Sequence, residues 1–152
     1  MIIYRLAKQY FLEDLSGDGA KQSGGRWNQK GSPVLYTAQN SSLAILETLV
    51  HVDLDLIPKD LFVGEIEVEL DEKLDIQVIQ ELPKNWNHYP SPDFLKEIGE
   101  AWLAEGKSLL LQVPSAVNPL EHNFLVNPEH KKFDQVRLKQ SYPFQYDGRL
   151  IA

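Results

Sequence analysis

Cysteine is absent from this chain of 152 residues. Neither a disulfide framework nor a thiolate metal site is therefore available to it. No stretch approaches the roughly 20 apolar residues of a membrane-spanning helix, and Met1-Ile2-Ile3-Tyr4-Arg5 lacks the long apolar run of a signal peptide. Both absences predict a cytoplasmic protein of a bacterium-like cell. Basic charge is in short supply as well: 15 Lys and Arg against 22 Asp and Glu leave a formal net charge of -7. Phosphate contacts dominate affinity for nucleic acid, so direct nucleic acid binding is not expected. There is no Walker loop, no GxGxxG and no HExxH, and His51, His88, His122 and His130 fall in no metal-ligand spacing. No repeat, coiled coil or low-complexity tract interrupts the chain.

What is present is ordinary globular usage, 43% hydrophobic and 24% charged, enough for one domain over 1–152 with one core. Ile2–Leu6 reads as a first strand, 8–23 as a polar connection, 34–38 as a second strand and 41–52 as a helix. Residues 61–68 alternate as a strand with charged side chains outward, and 74–79 form a further short strand. The segment 83–93, rich in Pro, Trp, Asn and Tyr, reads as a long surface loop. Phe94–Glu105 is an amphipathic helix stopped by Gly106. Residues 108–114, 123–128, 136–140 and 142–145 supply later strands, the first ended by Pro114. Two helices cannot cover both faces of a parallel sheet, so the expected class is α+β, a small, bent or split antiparallel sheet with flanking helices.

The chemistry concentrates between residues 24 and 47. Gly24-Gly25 precedes Arg26-Trp27-Asn28, and glycines let the backbone approach a ligand while the guanidinium, a planar fork suited to phosphate, is aimed into a cleft. Val34-Leu35-Tyr36 is a short apolar run that leaves Tyr36 near a strand end, where its ring could stack on a heterocycle. Asn40-Ser41-Ser42 offers an N-cap to a helix that is apolar around most of its circumference. On that helix Glu47 shares the face of Leu43 and Val50, where an unpaired carboxylate is costly. Together these residues point to an anionic, ring-bearing ligand. Each has a structural alternative: an exposed arginine in a turn, a core tyrosine, and a Glu47 paired with Arg26 or Arg5. His51, one turn after Glu47, reads either as a site residue or as a helix-end histidine at the negative pole of the helix dipole. Ser115 sits just beyond a strand-ending proline with no base-bearing motif nearby, so acyl transfer is not expected.

In this order and spacing the motifs resemble a known family. Tyr4-Arg5, Gly24-Gly25-Arg26-Trp27-Asn28, Val34-Leu35-Tyr36, Leu43-Ala44-Ile45-Leu46-Glu47, Val113-Pro114-Ser115, the run Asn123 to His130 and Tyr146-Asp147-Gly148-Arg149 are similar to the RES domain, the toxin half of a bacterial toxin-antitoxin pair. The resemblance implies an ADP-ribosyltransferase-like fold and activity on NAD, by hydrolysis or phosphorolysis or by modification of a protein target. It places the family signature on Arg26, Glu47 and Ser115, with Tyr36 and Arg5 as further pocket residues. Arg26 and Glu47 would be catalytic; Arg5, Arg26, Tyr36 and Ser115 would bind NAD, and no metal is required. The implied partner is a helix-turn-helix antitoxin of the Xre type, which an acidic surface suits if that antitoxin is basic. The oligomeric state is left open, a homodimer within the toxin-antitoxin complex included. Two other classes remain: a non-catalytic nucleotide-binding module with Glu47 as a counter-ion, and a pure antitoxin-docking protein.

Overall fold

The computed structural model describes residues 1–151. Strands β1 (Ile2–Lys8), β2 (Leu35–Ala38), β3 (Leu61–Val68), β4 (Ile76–Val78), β5 (Leu110–Pro114), β6 (His122–Val126) and β7 (Val136–Pro143) form one sheet in the order β4-β5-β6-β2-β1-β3-β7. Five helices accompany them: α1 (Gln9–Leu12), α2 (Asp18–Ser23), α3 (Ser41–Leu49), α4 (Glu72–Asp75) and α5 (Asp93–Glu105). The α+β class holds. Every pairing is antiparallel except β4 with β5, which makes the sheet mixed at one edge. None of the described helices is long and apolar enough to cross a membrane.

The sheet is split, and the split positions the site. β1 pairs with β3 along its whole length, from Ile2↔Glu67 to Lys8↔Leu61, whereas β1 and β2 meet at the single pair Tyr4↔Ala38. Two half-sheets, β4-β5-β6-β2 and β1-β3-β7, thus diverge from one hinge. Between them lies a core drawn from both, with Ile3, Ile66, Val68 and Val136 from one half and Leu35, Leu110, Phe124 and Val126 from the other. Alternation sends Tyr36, Leu111, Val113 and Leu125 to the opposite face, where Trp27 and the α5 side chains Leu95 and Trp102 cover them. α3 packs beside this second layer on Tyr4 and Ala38 through Leu43 and Ala44.

Several elements differ from the sequence reading. The connection 8–23 contains α1 and α2, too short to show a helical period. The strands expected over 136–140 and 142–145 are one strand, β7, and the segment 74–79 begins inside α4 before becoming β4. α3 ends at Leu49, and Val50 is 55% exposed, so the helix is covered on one side only. Glu47 accordingly lies at the border of the buried stripe, not within it. α5 ends as its sequence predicts, on Gly106 in the left-handed region at φ 60°.

Candidate functional site

The Gly24–Asn28 loop is built to hold Arg26. Trp27 is buried against α5, and Gly99 allows that approach, because a Cβ there would lie 1.7 Å from the Trp27 carbonyl oxygen. Burying an indole removes on the order of 200 Å² from water, about 5 kcal/mol by area, so the loop is anchored at its centre. Asn28, fully buried, donates from Nδ2 to the carbonyls of Ala20, Gln29 and Ser32, and its Oδ1 accepts the Tyr36 hydroxyl at 2.7 Å. The Tyr36 oxygen in turn accepts from the Trp27 amide at 3.1 Å. Burial pushes the Tyr36 phenol above its ordinary pKa, so it remains a neutral donor. Gly25 is required by proximity, since a Cβ would fall 2.6 Å from the Tyr36 hydroxyl. Tyr36 is therefore a satisfied tyrosine by its hydroxyl and a cleft residue by its ring.

Arg26 projects from this anchored loop to the segment before α5. Its Nη1 donates to the carbonyl oxygens of Trp86 and His88, both at 3.1 Å, while Nε and Nη2 have no protein partner among the described residues. Burial lowers the guanidinium pKa from its usual value and the charge of Glu47 opposes the shift. The arginine stays charged at neutral pH, with three N–H donors left for a ligand.

Glu47 is oriented through one oxygen. Its Oε1 accepts the Ser115 hydroxyl at 2.5 Å and the Asn123 amide at 2.7 Å, and Oε2 has no protein partner among the described residues. Ser115 follows β5, is 0% exposed, and its oxygen accepts the amides of Val117 and Asn118 at 3.1 and 3.0 Å. The serine thus stands behind the carboxylate and off the cleft wall, and it reaches a ligand only through Glu47. Glu121 closes the support: it accepts from Asn118 at 3.0 Å and from the side chain of Asn40, whose Oδ1 caps α3 at the Leu43 amide. The helix that carries Glu47 and the turn that carries Ser115 are tied together at that carboxylate. In the sequence Asn123 stands only as the first residue of the run to His130, with no site role, and Glu121 is not marked at all. The usable signal was a polar side chain in β6 on the same face as buried Leu125.

These parts converge on a cleft of about 1050 Å³ above the split, with Tyr4, Thr37, Ala38 and Leu125 as its floor. That is at the upper end of the range for small-molecule sites, roughly 300 to 1,000 Å³. Arg5, Arg26 and Lys96 face it together with a single carboxylate among the described residues, Glu47. In a chain of net charge -7 this is a local reversal of sign, and a cleft of one sign concentrates the opposite charge. Arg5 spends Nη1 on the carbonyls of Phe11 and Asp14, at 3.1 and 2.9 Å, and burial lowers its pKa against the pull of Asp14. His51 is exposed at the cleft margin. The segment 83–93, expected to be surface loop, supplies a wall through Asn87, Tyr89 and Ser91. Among the described residues no three His, Cys, Asp or Glu side chains come together as a metal-holding group.

The model of the RES domain family matches residues 2–147, which hold the split sheet and every cleft residue named above. The chain belongs to the RES domain family. It is 40% identical over 153 residues to a protein of Yersinia enterocolitica named "Toxin Res", covering 99% of each chain. It is 35% identical over 147 residues to a "Prs ADP-ribosylating toxin" of a Sphingobium strain, covering 95% of this chain and 91% of that one. Among solved structures, the M.tuberculosis MbcT-MbcA toxin-antitoxin complex contains a chain with the same fold, at TM-score 0.77 and 19% identity over 95% of this chain and 84% of that one.

Proposed function

We propose that this chain, as a single RES domain over 1–152, is the toxin of a bacterial toxin-antitoxin pair and cleaves NAD at the nicotinamide-ribose bond. The observation that carries the reading is Glu47, whose Oε1 is fixed by Ser115 and Asn123 while Oε2 is left for a ligand in a cleft otherwise lined by cations. When the bond between nicotinamide nitrogen and ribose C1′ breaks, its electron pair leaves with nicotinamide and the ribose takes on oxocarbenium character. A carboxylate held beside that carbon stabilises the developing positive charge without having to reorganise. Water or phosphate then forms the new bond to C1′ through oxygen and gives up a proton. Arg26, with Arg5, holds the phosphates; the Tyr36 ring lies near nicotinamide; Ser115 acts by aiming Glu47. The residues present require no metal for these steps.

The names of the relatives support a toxin, and the solved complex supports an antitoxin as partner, here a helix-turn-helix protein of the Xre type acting in the cytoplasm. A second reading, transfer of ADP-ribose to a protein target, is favoured by the relative named for ADP-ribosylation. One experiment separates them: incubate the purified protein with NAD, with and without phosphate, and weigh the products. Free ADP-ribose or its phosphate adduct supports cleavage. Consumption of NAD only when a protein acceptor is added supports transfer, and no consumption in either case removes both.

A further inference from the structure

We infer that Tyr89 is the stacking platform for the adenine half of the bound dinucleotide, an inference that rests on the NAD reading above. The segment that carries it is held at two points. The Trp86 side chain packs into the core under α5, and the carbonyls of Trp86 and His88 are both bonded to Arg26 Nη1. Tyr89, the next residue, stands on the cleft wall and is 84% exposed. Its ring is largely uncovered among the described residues, and a large aromatic side chain held over a cleft by a fixed backbone has a face to offer. The Arg26 guanidinium, bonded to this wall, lines the same cleft as Glu47 of α3 on the other. The order Glu47, Arg26, Tyr89 therefore runs from the carboxylate through the cation to the ring, as a dinucleotide runs from reacting ribose through pyrophosphate to adenosine. Tyr36 cannot serve both ends, because its hydroxyl is bound to Asn28 and the Trp27 amide inside the Gly24–Asn28 loop. Stacking is indifferent to the hydroxyl and depends on the ring.

The test measures binding of ADP-ribose, which carries no nicotinamide to cleave, to the wild type, Tyr89→Ala and Tyr89→Phe by calorimetry. Tyr89→Ala should weaken ADP-ribose about five- to a hundredfold, the range for losing one base-aromatic stack, and Tyr89→Phe should stay within about threefold of wild type. Nicotinamide mononucleotide, measured in a Glu47→Gln background so that it is not consumed, should bind equally with and without Tyr89→Ala. An exposed ring supports no core, so the melting temperatures should coincide, and a lowered one would show Tyr89 to be structural. Unchanged ADP-ribose affinity in Tyr89→Ala overturns the inference while leaving the NAD reading intact, and so does an equal loss for nicotinamide mononucleotide. A Tyr89→Phe variant as weak as Tyr89→Ala overturns it too, since the hydroxyl and not the ring would then be the contact. Failure of the wild type to bind ADP-ribose overturns the NAD reading itself, and the inference with it.

Discussion

Two polar clusters in this molecule look alike by composition and differ in what they leave unfinished. At the β4 edge, Asp75 is 3% exposed and gives both oxygens to Lys132 at 2.8 and 2.9 Å, with Oδ2 also taking the Asp71 amide at 2.8 Å. Next to it His130 is buried with both ring nitrogens engaged, by the Lys107 carbonyl and the Lys132 amide. At the sheet split, Glu47 has one oxygen engaged and one without a protein partner, Arg26 keeps three N–H donors, and Asn123 Oδ1 is buried with none. Of these, Asn123 Oδ1 is buried, where an unpaired polar group costs about 1 to 3 kcal/mol, while Glu47 and Arg26 turn theirs to the cleft. A closed cluster is explained by stability alone. An open one, at a cleft of reversed charge, asks for a ligand.

The sharpest way to break that comparison is to remove charge from the open cluster. Glu47→Gln keeps the shape and should slow NAD turnover by about a hundredfold or more, the loss expected for one preorganised stabilising group. Melting temperature should move little. Wild-type rates in that variant would return Glu47 to the role of a structural counter-ion. Ser115→Ala tests whether the serine works through the carboxylate: it should lower kcat by about tenfold, in the range seen when a group that orients a functional side chain is lost, and leave KM alone. A rise in KM with kcat intact would mean that Ser115 touches the substrate after all. Arg26→Lys keeps the charge and loses the planar fork, so KM for NAD should rise several-fold and more than kcat falls. If the variant melts lower and binds NAD as before, the two carbonyl contacts to Trp86 and His88 are the whole of what Arg26 does.

How much of this was legible in the sequence depends on range. β3 announces itself by alternation and α5 by its apolar stripe and Gly106, because those signals are local. Arg26, Tyr36 and Glu47 were legible for a related reason, since charge or ring beside glycine or within an apolar run is a local contradiction, and the cleft brings all three together. A bent or split sheet follows from the count of strands and helices, but the place of the split does not. It depends on Tyr4↔Ala38 being the one register pair between β1 and β2, a contact that no local pattern encodes. Asn123 and Glu121 escaped because polar residues in and beside a strand also read as its solvent face, and Tyr89 because an aromatic residue in a polar loop has no period to violate. Their meaning comes from distant residues: Glu47, 76 positions from Asn123, Asn40, 81 from Glu121, and Arg26, 62 from the His88 that precedes Tyr89.

The smallest effect on activity is expected at the closed cluster, and it completes the comparison. Asp75→Asn should leave NAD turnover unchanged and reduce the free energy of unfolding by about 1 to 2 kcal/mol, the lower end for hydrogen bonds to charged groups because Lys132 is half-exposed. The pH dependence fixes its origin. Burial raises the Asp75 pKa, but the Lys132 bonds, the Asp71 amide and the Lys132 charge outweigh it and leave the group below its ordinary value. The folded state therefore holds the proton less tightly than the unfolded chain. The resulting stability is complete above the ordinary aspartate range near pH 4 and is lost as pH falls through the lower folded value. Urea unfolding across that interval should show the wild type and Asp75→Asn converging toward acid, as the wild-type carboxylate becomes protonated and the variant has nothing to lose. A gap that stays constant into acid would assign the loss to packing, and a change in NAD turnover would show that the closed cluster is coupled to the cleft.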